Sequence, residues 1–430
     1  MTTAILFGSF VLLLLIGVPI GIALGTASLL AIAYIPFLNF DFYALGLVSG
    51  INSFTLMAVV LFTLAGNLMS RGGISRRLIV VAESFFGTAP GGLGTVTIMA
   101  CLFFAAISGT GSATVAAIGL AMIPALVRRG YDRAYSGAMV ASAGSLGVLI
   151  PPSVVMIIYA VTAGVSVSAL FLAGIIPGFV IAIALILYNI YQTRKGGWEE
   201  SGTKASWAER FRALNQAKLA LLMPIVVLGG IYGGIVTPTE SSAVAVVYAL
   251  LVSTLVYREL SWNEIPRIML ESALLVSAVL VIIGASVAFG RIIALERIPL
   301  SLSQFVLGIT DNWVVVLLAI LVLLLIIGTF LETLAAIVIL TPVLLPMVTH
   351  LGIDPIHFGV IMIVALAIGF VTPPLGANLF MAAQVGNIPY DLLVRRIFRW
   401  VLVLIAALLV ISFWPDLSLI LPRLILGYGA

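Results

Sequence analysis

The sequence predicts an all-α polytopic membrane protein built as an inverted structural repeat, each half holding one re-entrant helical hairpin and one broken helix. Three observations predict it. Apolar residues fill 63% of the 430 positions and charged residues only 8%, against roughly 25% charged in a soluble domain. Lys and Arg gather in a few short stretches between apolar runs. Finally, "GTGSATVAAI" at Gly109 to Ile118 is nearly rewritten as "GTFLETLAAI" at Gly328 to Ile337.

The elements follow in chain order. Residues 4–35 form one apolar run, which either crosses once or breaks at Pro19. No basic residue precedes it and the run is longer than a signal-peptide core of ~7–15 residues, so a cleaved signal peptide is not expected. Cytoplasmic loops collect Lys and Arg. Five clusters hold 17 of the 20: Arg71, Arg76, Arg77; Arg128, Arg129, Arg133; Arg194, Lys195, Lys204, Arg210, Arg212, Lys218; Arg258, Arg267; and Arg395, Arg396, Arg399. With all five on the cytoplasmic side, an even number of crossings separates neighbouring clusters, and the N-terminus is predicted to be cytoplasmic.

The first repeat covers 1–192. Between Arg77 and Arg128 the apolar stretch breaks at "SGTGS", Ser108 to Ser112, and each piece falls short of the ~20 residues a spanning helix needs. A re-entrant hairpin over about 90–128 follows, then a broken helix over about 135–163 and a crossing at 169–192. Residues 193–218 form a polar cytoplasmic connector whose Trp198, Trp207 and Phe211 suit either an amphipathic helix on the membrane surface or a solvated linker. The second repeat covers 219–430. It has crossings at 219–236, 238–257 and about 268–290, a second hairpin over about 313–350 and a broken helix over about 356–386. Parity alone also admits two short spanning helices at each hairpin. Glu240 in "TPTESS" is expected to cap the helix that starts there.

One constant shift along the chain sets Gly109 on Gly328, Thr110 on Thr329, Thr114 on Thr333 and Pro19 on Pro238. "GSLGVLIPPS" (Gly144 to Ser153) answers "GFVTPPLGAN" (Gly369 to Asn378), where pairing Pro151 with Pro373 needs a slightly longer shift. Five crossings between the hairpins invert the second copy, the plan of many secondary transporters.

Inside a bilayer a helix break is tolerated only where it is buried in protein or faces a polar cavity. Glycine lets the chain turn, and Pro-Pro removes donors and frees upstream carbonyls. Such carbonyls, with Ser and Thr hydroxyls, form oxygen cages suited to sodium. One sodium site is therefore expected among Ser108, Gly109, Ser112, Gly144, Gly147 and Pro151, and a second among Gly328, Thr329, Gly369, Thr372 and Pro374. Taken singly, such glycines and serines are also close-packing positions.

The second limbs of the hairpins start near Ser112 and Thr333, where helix N-termini carry about half a unit of positive charge. No Lys or Arg lies in 93–127 or 313–386, so an anionic substrate is expected to rest on helix ends, sodium, the hydroxyls of Ser112, Thr114, Ser153 and Thr333, and Asn378. Glu332 is an ionisable group at membrane depth and a functional candidate. It orients the tip, carries a proton, makes a tip salt bridge or sits at a wet rim.

Other classes fit less well. Two histidines and the single Cys101 exclude a four-ligand His/Cys zinc centre. No HExxH and no nucleophile beside a His base occur at the tips, so no enzyme is expected. No GxxxxGK[ST] phosphate loop is present, so direct ATP use is not expected.

"FAAISGTGSATVAAIG", "GVLIPPS", "GGIYGGIVTPTESSAVAVVYAL" and "VTPPLGANLF", in this order, resemble the large membrane subunit of tripartite ATP-independent periplasmic (TRAP) transporters over nearly the whole chain. The resemblance implies a bacterial inner-membrane protein that pairs with a small four-helix membrane subunit and receives its substrate from a periplasmic binding protein. It further implies a scaffold domain and a mobile transport domain moving as an elevator, at least two coupled sodium ions, and an organic-acid anion such as a C4-dicarboxylate, sialic acid or a related carboxylate. No nucleic-acid partner is expected. The second tip, "GTFLET", departs from the pattern of the first. The alternative is a stand-alone divalent anion/sodium symporter, although the Ser-Asn-Thr tip signature typical of that group is absent.

Overall fold

The structure is a computed structural model that describes residues 1–198, 205–310 and 312–429. Every regular element among the described residues is helical. They run α1 (Thr2–Leu15), α2 (Ile20–Tyr34), α3 (Phe40–Ile51), α4 (Met57–Arg71), α5 (Ile74–Phe86), α6 (Gly92–Ser108), α7 (Gly111–Arg128), α8 (Arg133–Gly144), α9 (Val154–Ala163) and α10 (Val167–Gly196). There follow α11 (Trp207–Tyr232), α12 (Pro238–Leu251), α13 (Ile265–Leu295), α14 (Ile298–Ile309), α15 (Trp313–Phe330), α16 (Thr333–His350), α17 (Pro355–Gly369), α18 (Ala377–Gly386), α19 (Tyr390–Phe413) and α20 (Asp416–Leu426). Among the described residues, 9 helical segments are long and apolar enough to cross a bilayer by length and composition.

The first apolar run breaks at Pro19 rather than crossing once. Each helix has 14 or 15 residues, about 21–23 Å at 1.5 Å per residue and short of the ~30 Å hydrocarbon core. The Tyr34 hydroxyl comes within 3.5 Å of Met1 Sδ, so the run folds back on itself.

The polar connector is no helix of its own among the described residues. Its first residues finish α10, and its last form the opening turns of α11; residues 199–204 lie outside the described residues. Ser206 and Glu209 close a reciprocal capping box at that start, which satisfies orphan donors and carries the helix straight on into the apolar segment. Glu240 does cap α12, its Oε2 accepting from Thr237 N at 2.8 Å while Thr237 Oγ1 accepts from Glu240 N at 3.3 Å.

Helices α1–α4 pack with α11–α13, and α6–α10 pack with α15–α20; α5, α14 and the inner faces of α4 and α13 lie between the two groups. The second group is built around the broken helices. From Ile356 to Gly369 every residue of α17 is buried, as expected for a helix that is apolar all round. In α13 the buried stripe Val276, Val279 and Ile283 faces inward, and Leu270 and Leu274 face out.

The backbone gives its own correspondence between the two halves. Helix α7 starts at Gly111 and α16 at Thr333, α8 starts at Arg133 and α17 at Pro355, and the Pro-Pro pairs lie at 151–152 and 373–374. All three pairs are related by one and the same shift. Asp132 and Asp354, related by that shift too, cap α8 and α17 by accepting from Tyr135 N and Ile356 N, each at 2.8 Å. The shift that matches the letters at the tips, Gly109 on Gly328, instead sets Gly111 on Phe330 and stops short of Thr333, so the letters are out of step with the backbone.

Candidate functional site

At the first tip α6 ends on Ser108. Gly109 takes the left-handed conformation at φ 64°, and Thr110 enters α7 extended. Ser108 Oγ and Thr114 Oγ1 lie 2.8 Å apart, and Thr114 Oγ1 donates to the Thr110 carbonyl at 3.0 Å. This turn sits directly on the break between α8 and α9. A Cβ on Gly109 would lie 2.9 Å from the Pro152 carbonyl, and one on Gly147 would strike the Thr110 carbonyl and the Thr114 hydroxyl. Only glycine permits such an approach.

Asn378, from the second half, completes the cluster. An ideal Cβ on Gly111 would lie 3.0 Å from its Nδ2 and 3.1 Å from the Gly144 carbonyl. Asn378 is buried, and its Oδ1 has no hydrogen-bond partner. An unpaired buried acceptor costs about 1–3 kcal/mol, so this oxygen is prepared for a donor or a cation. The Asn378 amide thus meets the backbone of Gly111 and Gly144, while the Thr110 and Pro152 carbonyls and the Ser108 and Thr114 hydroxyls lie along the adjoining turn. The oxygens among these groups are of the kind that suits a small hard cation.

Of the residues expected around the first ion, the structure brings Ser108, Gly109, Gly144 and Gly147 together. Ser112 faces the adjoining cavity. Pro151 instead lines an apolar groove with Phe103, Ile150 and Leu221, and it is the carbonyl of Pro152 that meets the tip. Ser153 caps α9, its hydroxyl donating to the Val148 carbonyl at 2.6 Å.

The second tip is made differently. Gly328 and Thr329 lie inside α15, and the turn falls on Leu331 and Glu332. Thr329 Oγ1 donates to the Ile326 carbonyl at 2.7 Å, one turn back. A Cβ on Gly328 would lie 3.1 Å from Gly369 Cα, so α15 and α17 touch backbone to backbone there. Thr372 N donates to the Gly369 carbonyl at 2.9 Å, and its hydroxyl to the Ile368 carbonyl at 2.7 Å. Pro374 is exposed, and its carbonyl accepts from the Tyr390 hydroxyl at 2.7 Å. Four of the five second-site residues are therefore neighbours around the α15–α17 contact, and Pro374 sits apart at the far side of the break.

A cavity of about 280 Å³ separates the two tips. Ser108, Thr110 and Ser112 line it from the first, and Glu332 and Thr333 from the second. The opposite wall comes from Thr63 and Asn67 of α4 and Val276 and Val279 of α13. Asn67 Nδ2 donates to Ser272 Oγ at 2.8 Å, which ties α4 to α13 behind the cavity. Thr333 Oγ1 is buried without a partner. Glu332 is exposed to this space, makes no capping bond with α16, and is the one charged residue among the described residues that line it. Thr114 and Asn378 stand behind the first tip rather than on the wall. Sequence reasoning missed Thr63, Asn67 and Thr110; the available signal was the lone amide of Asn67 in an apolar helix.

Comparison with known proteins shows the family to which the chain belongs. The family profile described as tripartite ATP-independent periplasmic transporter, DctM component, matches residues 7–417. The chain is 46% identical to the isethionate TRAP transporter permease protein DctMQ of Oleidesulfovibrio alaskensis over 96% of its own length, and it spans 65% of the length of that relative. It is 37% identical to the C4-dicarboxylate TRAP transporter large permease protein DctM of Rhodobacter capsulatus, covering 99% of this chain and 100% of that one. It is 39% identical to the sialic acid TRAP transporter large permease protein SiaM of Vibrio cholerae, over 97% of each. Among solved structures, the Alcanivorax borkumensis YdaH transporter superposes with a TM-score of 0.60 at 16% identity, over 98% of each chain. That likeness speaks for the fold alone.

Proposed function

Because the chain belongs to the DctM component of tripartite ATP-independent periplasmic transporters, we propose that it carries an organic-acid anion across the inner membrane with sodium ions as co-transported cargo. It is a multi-pass permease, not an enzyme. The observation that carries the sodium reading is the oxygen cluster at the first tip, with its unpartnered Asn378 Oδ1. A second ion belongs at the α15–α17 contact, among Gly328, Thr329, Gly369 and Thr372.

The substrate belongs in the cavity between the tips. The N-termini of α7 and α16 supply partial positive charge there, bound sodium supplies more, and the wall holds no Lys or Arg among its described residues. C4-dicarboxylates and sialic acid are the leading candidates, and the 46% identical relative adds isethionate. Each net positive charge moved inward across 100 mV gains roughly 2.3 kcal/mol, so an anion accompanied by an excess of sodium is driven by voltage as well as by the gradient.

Motion follows from the two helix groups. The tips and broken helices form one body, which slides as an elevator against the wall of α4 and α13. The two halves are inverted copies, since the broken helix α8–α9 and the helices α10 to α13 make five crossings between the hairpins, and the N-terminus is cytoplasmic. A small membrane subunit and a periplasmic binding protein complete the system, and no ATP is used.

The test is uptake into proteoliposomes that hold this chain, its small partner and a loaded binding protein, with and without an inward sodium gradient. Accumulation that requires both sodium and the binding protein is expected. Accumulation with sodium alone would establish a stand-alone symporter instead, and accumulation indifferent to sodium would remove the ion sites.

A further inference from the structure

A second polar cavity, of about 320 Å³, lies at the rim of the helix bundle where α16 and α19 end and α15, α17 and α20 begin. Its lining includes Trp313, Asp354, His357, Ser412 and Arg423. Two of these carry buried polar atoms without partners: His357 Nδ1 and Ser412 Oγ, each on a residue 2% exposed. His357 Nε2 lies 3.3 Å from the Ser412 carbonyl. A carbonyl can only accept, so Nε2 holds the proton of the neutral ring and Nδ1 keeps an unpartnered lone pair on a residue that lines the cavity.

The other half of the chain supplies an internal control. The backbone correspondence between the halves sets Asp132 on Asp354 and Tyr135 on His357, and it brings Asn189 next to the place of Ser412. There the Tyr135 hydroxyl donates to Asn189 Oδ1 at 3.1 Å, and Asn189 Nδ2 donates to the Gly91 carbonyl at 3.0 Å. Trp198 covers Tyr135, with ring centroids 4.6 Å apart. The same position in the fold is filled and hydrogen-bonded in one half and left open, with unmet groups, in the other.

Both signs of charge meet at the open one. Arg423 Nη1 is braced by Asp416 Oδ1 at 2.9 Å. Asp354 Oδ2 accepts from the Tyr428 hydroxyl at 3.1 Å. Burial and the Asp354 carboxylate push Tyr428 up to about 12, so it remains a donor. Arg423 is already paired with Asp416, and Asp354 adds a second carboxylate to the lining, a balance that disfavours a plain anion and suits a ligand that carries both charges. The surroundings are interfacial: Trp313 packs on Phe413 with centroids 5.9 Å apart, and Trp414 and Leu424 are 58% and 75% exposed. Tryptophan marks the membrane–water boundary.

We propose that this cavity binds a zwitterion bearing a primary ammonium and a phosphate, as in the head group of phosphatidylethanolamine or in free phosphoethanolamine. The ammonium donates to His357 Nδ1 and Asp354, and the phosphate accepts from Arg423 and the Ser412 hydroxyl. The test is native mass spectrometry of the delipidated full chain titrated with phosphatidylethanolamine and with phosphatidylcholine. The latter has the same charges but no N–H to offer Nδ1. Phosphatidylethanolamine is expected to bind about tenfold more tightly. Arg423→Gln, at a half-exposed position, should weaken both lipids, and His357→Phe should erase the preference. The pair His357→Tyr with Ser412→Asn, which copies the filled half, should abolish binding while leaving Tm unchanged or higher. Equal binding of the two lipids, binding of both left unweakened by Arg423→Gln, or a preference left intact by His357→Phe overturns the proposal. Displacement of the lipid by free phosphoethanolamine assigns the site to a soluble zwitterion, and failure to displace with the preference intact assigns it to the lipid.

Discussion

The two hairpin tips begin from nearly the same letters and do different things with them. In the first, "SGTGS" forms the turn itself, seats on the broken helix behind it and gathers carbonyls around Asn378. In the second, the matching glycine and threonine fall one turn short of the turn and bring α15 against α17. Residues that align by letter, such as Gly109 and Gly328, thus occupy different places along the backbone, where Gly111 answers to Thr333. The lesson is that a short polar motif in a membrane helix marks where the chain comes close to another backbone, and the neighbour decides whether that becomes an oxygen cage or a helix contact.

The largest expected effect concerns the side of the membrane each tip faces. Cysteines introduced at Ala113 and at Leu331 should react with an impermeant maleimide from opposite sides, an all-or-none difference. Background is low, because Cys101 is buried. Labelling of both from the same side would break the inverted-repeat reading and with it the elevator.

Next comes a pair of glycines. Gly147→Ala drives a methyl into the Thr110 carbonyl and the Thr114 hydroxyl. Overpacking of this kind costs roughly 1–3 kcal/mol, and here it opens the cage itself. Uptake at low sodium should fall more than about tenfold. Gly328→Ala presses instead on the Gly369 backbone and should lower Tm by an overpacking cost of the same order. If Gly328→Ala raised the sodium requirement as strongly as Gly147→Ala, both tips would be cages of one kind.

Much of this was readable beforehand, for reasons that show why the rest was not. The breaks at Gly109 and at the paired prolines announce themselves, because glycine and proline change what the backbone can do. The capping box at Thr237 and Glu240 is likewise local chemistry, legible from four residues. The register between halves was legible only at the paired prolines, since elsewhere letters match by composition and the backbone matches by where helices start. Thr63 and Asn67 escaped because a cavity wall from another helix leaves no periodic trace in sequence. Pro151 was misplaced by one residue for a similar reason: which of two adjacent prolines turns its carbonyl to the tip depends on packing, which sequence spacing does not encode.

The smallest effect is the sharpest test of the comparison. Asn378→Ala and Ser112→Ala remove groups that stand at the first tip, the first an unpartnered buried acceptor and the second a hydroxyl facing the cavity. Losing a ligand to a charged group costs about 1.5–3 kcal/mol, so Asn378→Ala should raise the sodium concentration for half-maximal uptake about tenfold or more, with expression intact. Thr329→Ala removes a hydroxyl that already returns its hydrogen to the Ile326 carbonyl within its own helix. Such back-bonding is worth little to a helix, but the oxygen keeps a lone pair directed away from that bond. If the second ion is held mainly by the carbonyls at the α15–α17 contact, Thr329→Ala should shift the sodium requirement by less than about threefold. A shift equal to that of Asn378→Ala would mean that the hydroxyl leaves its helix bond to take the ion, and the second tip would then be a cage that closes only when sodium arrives.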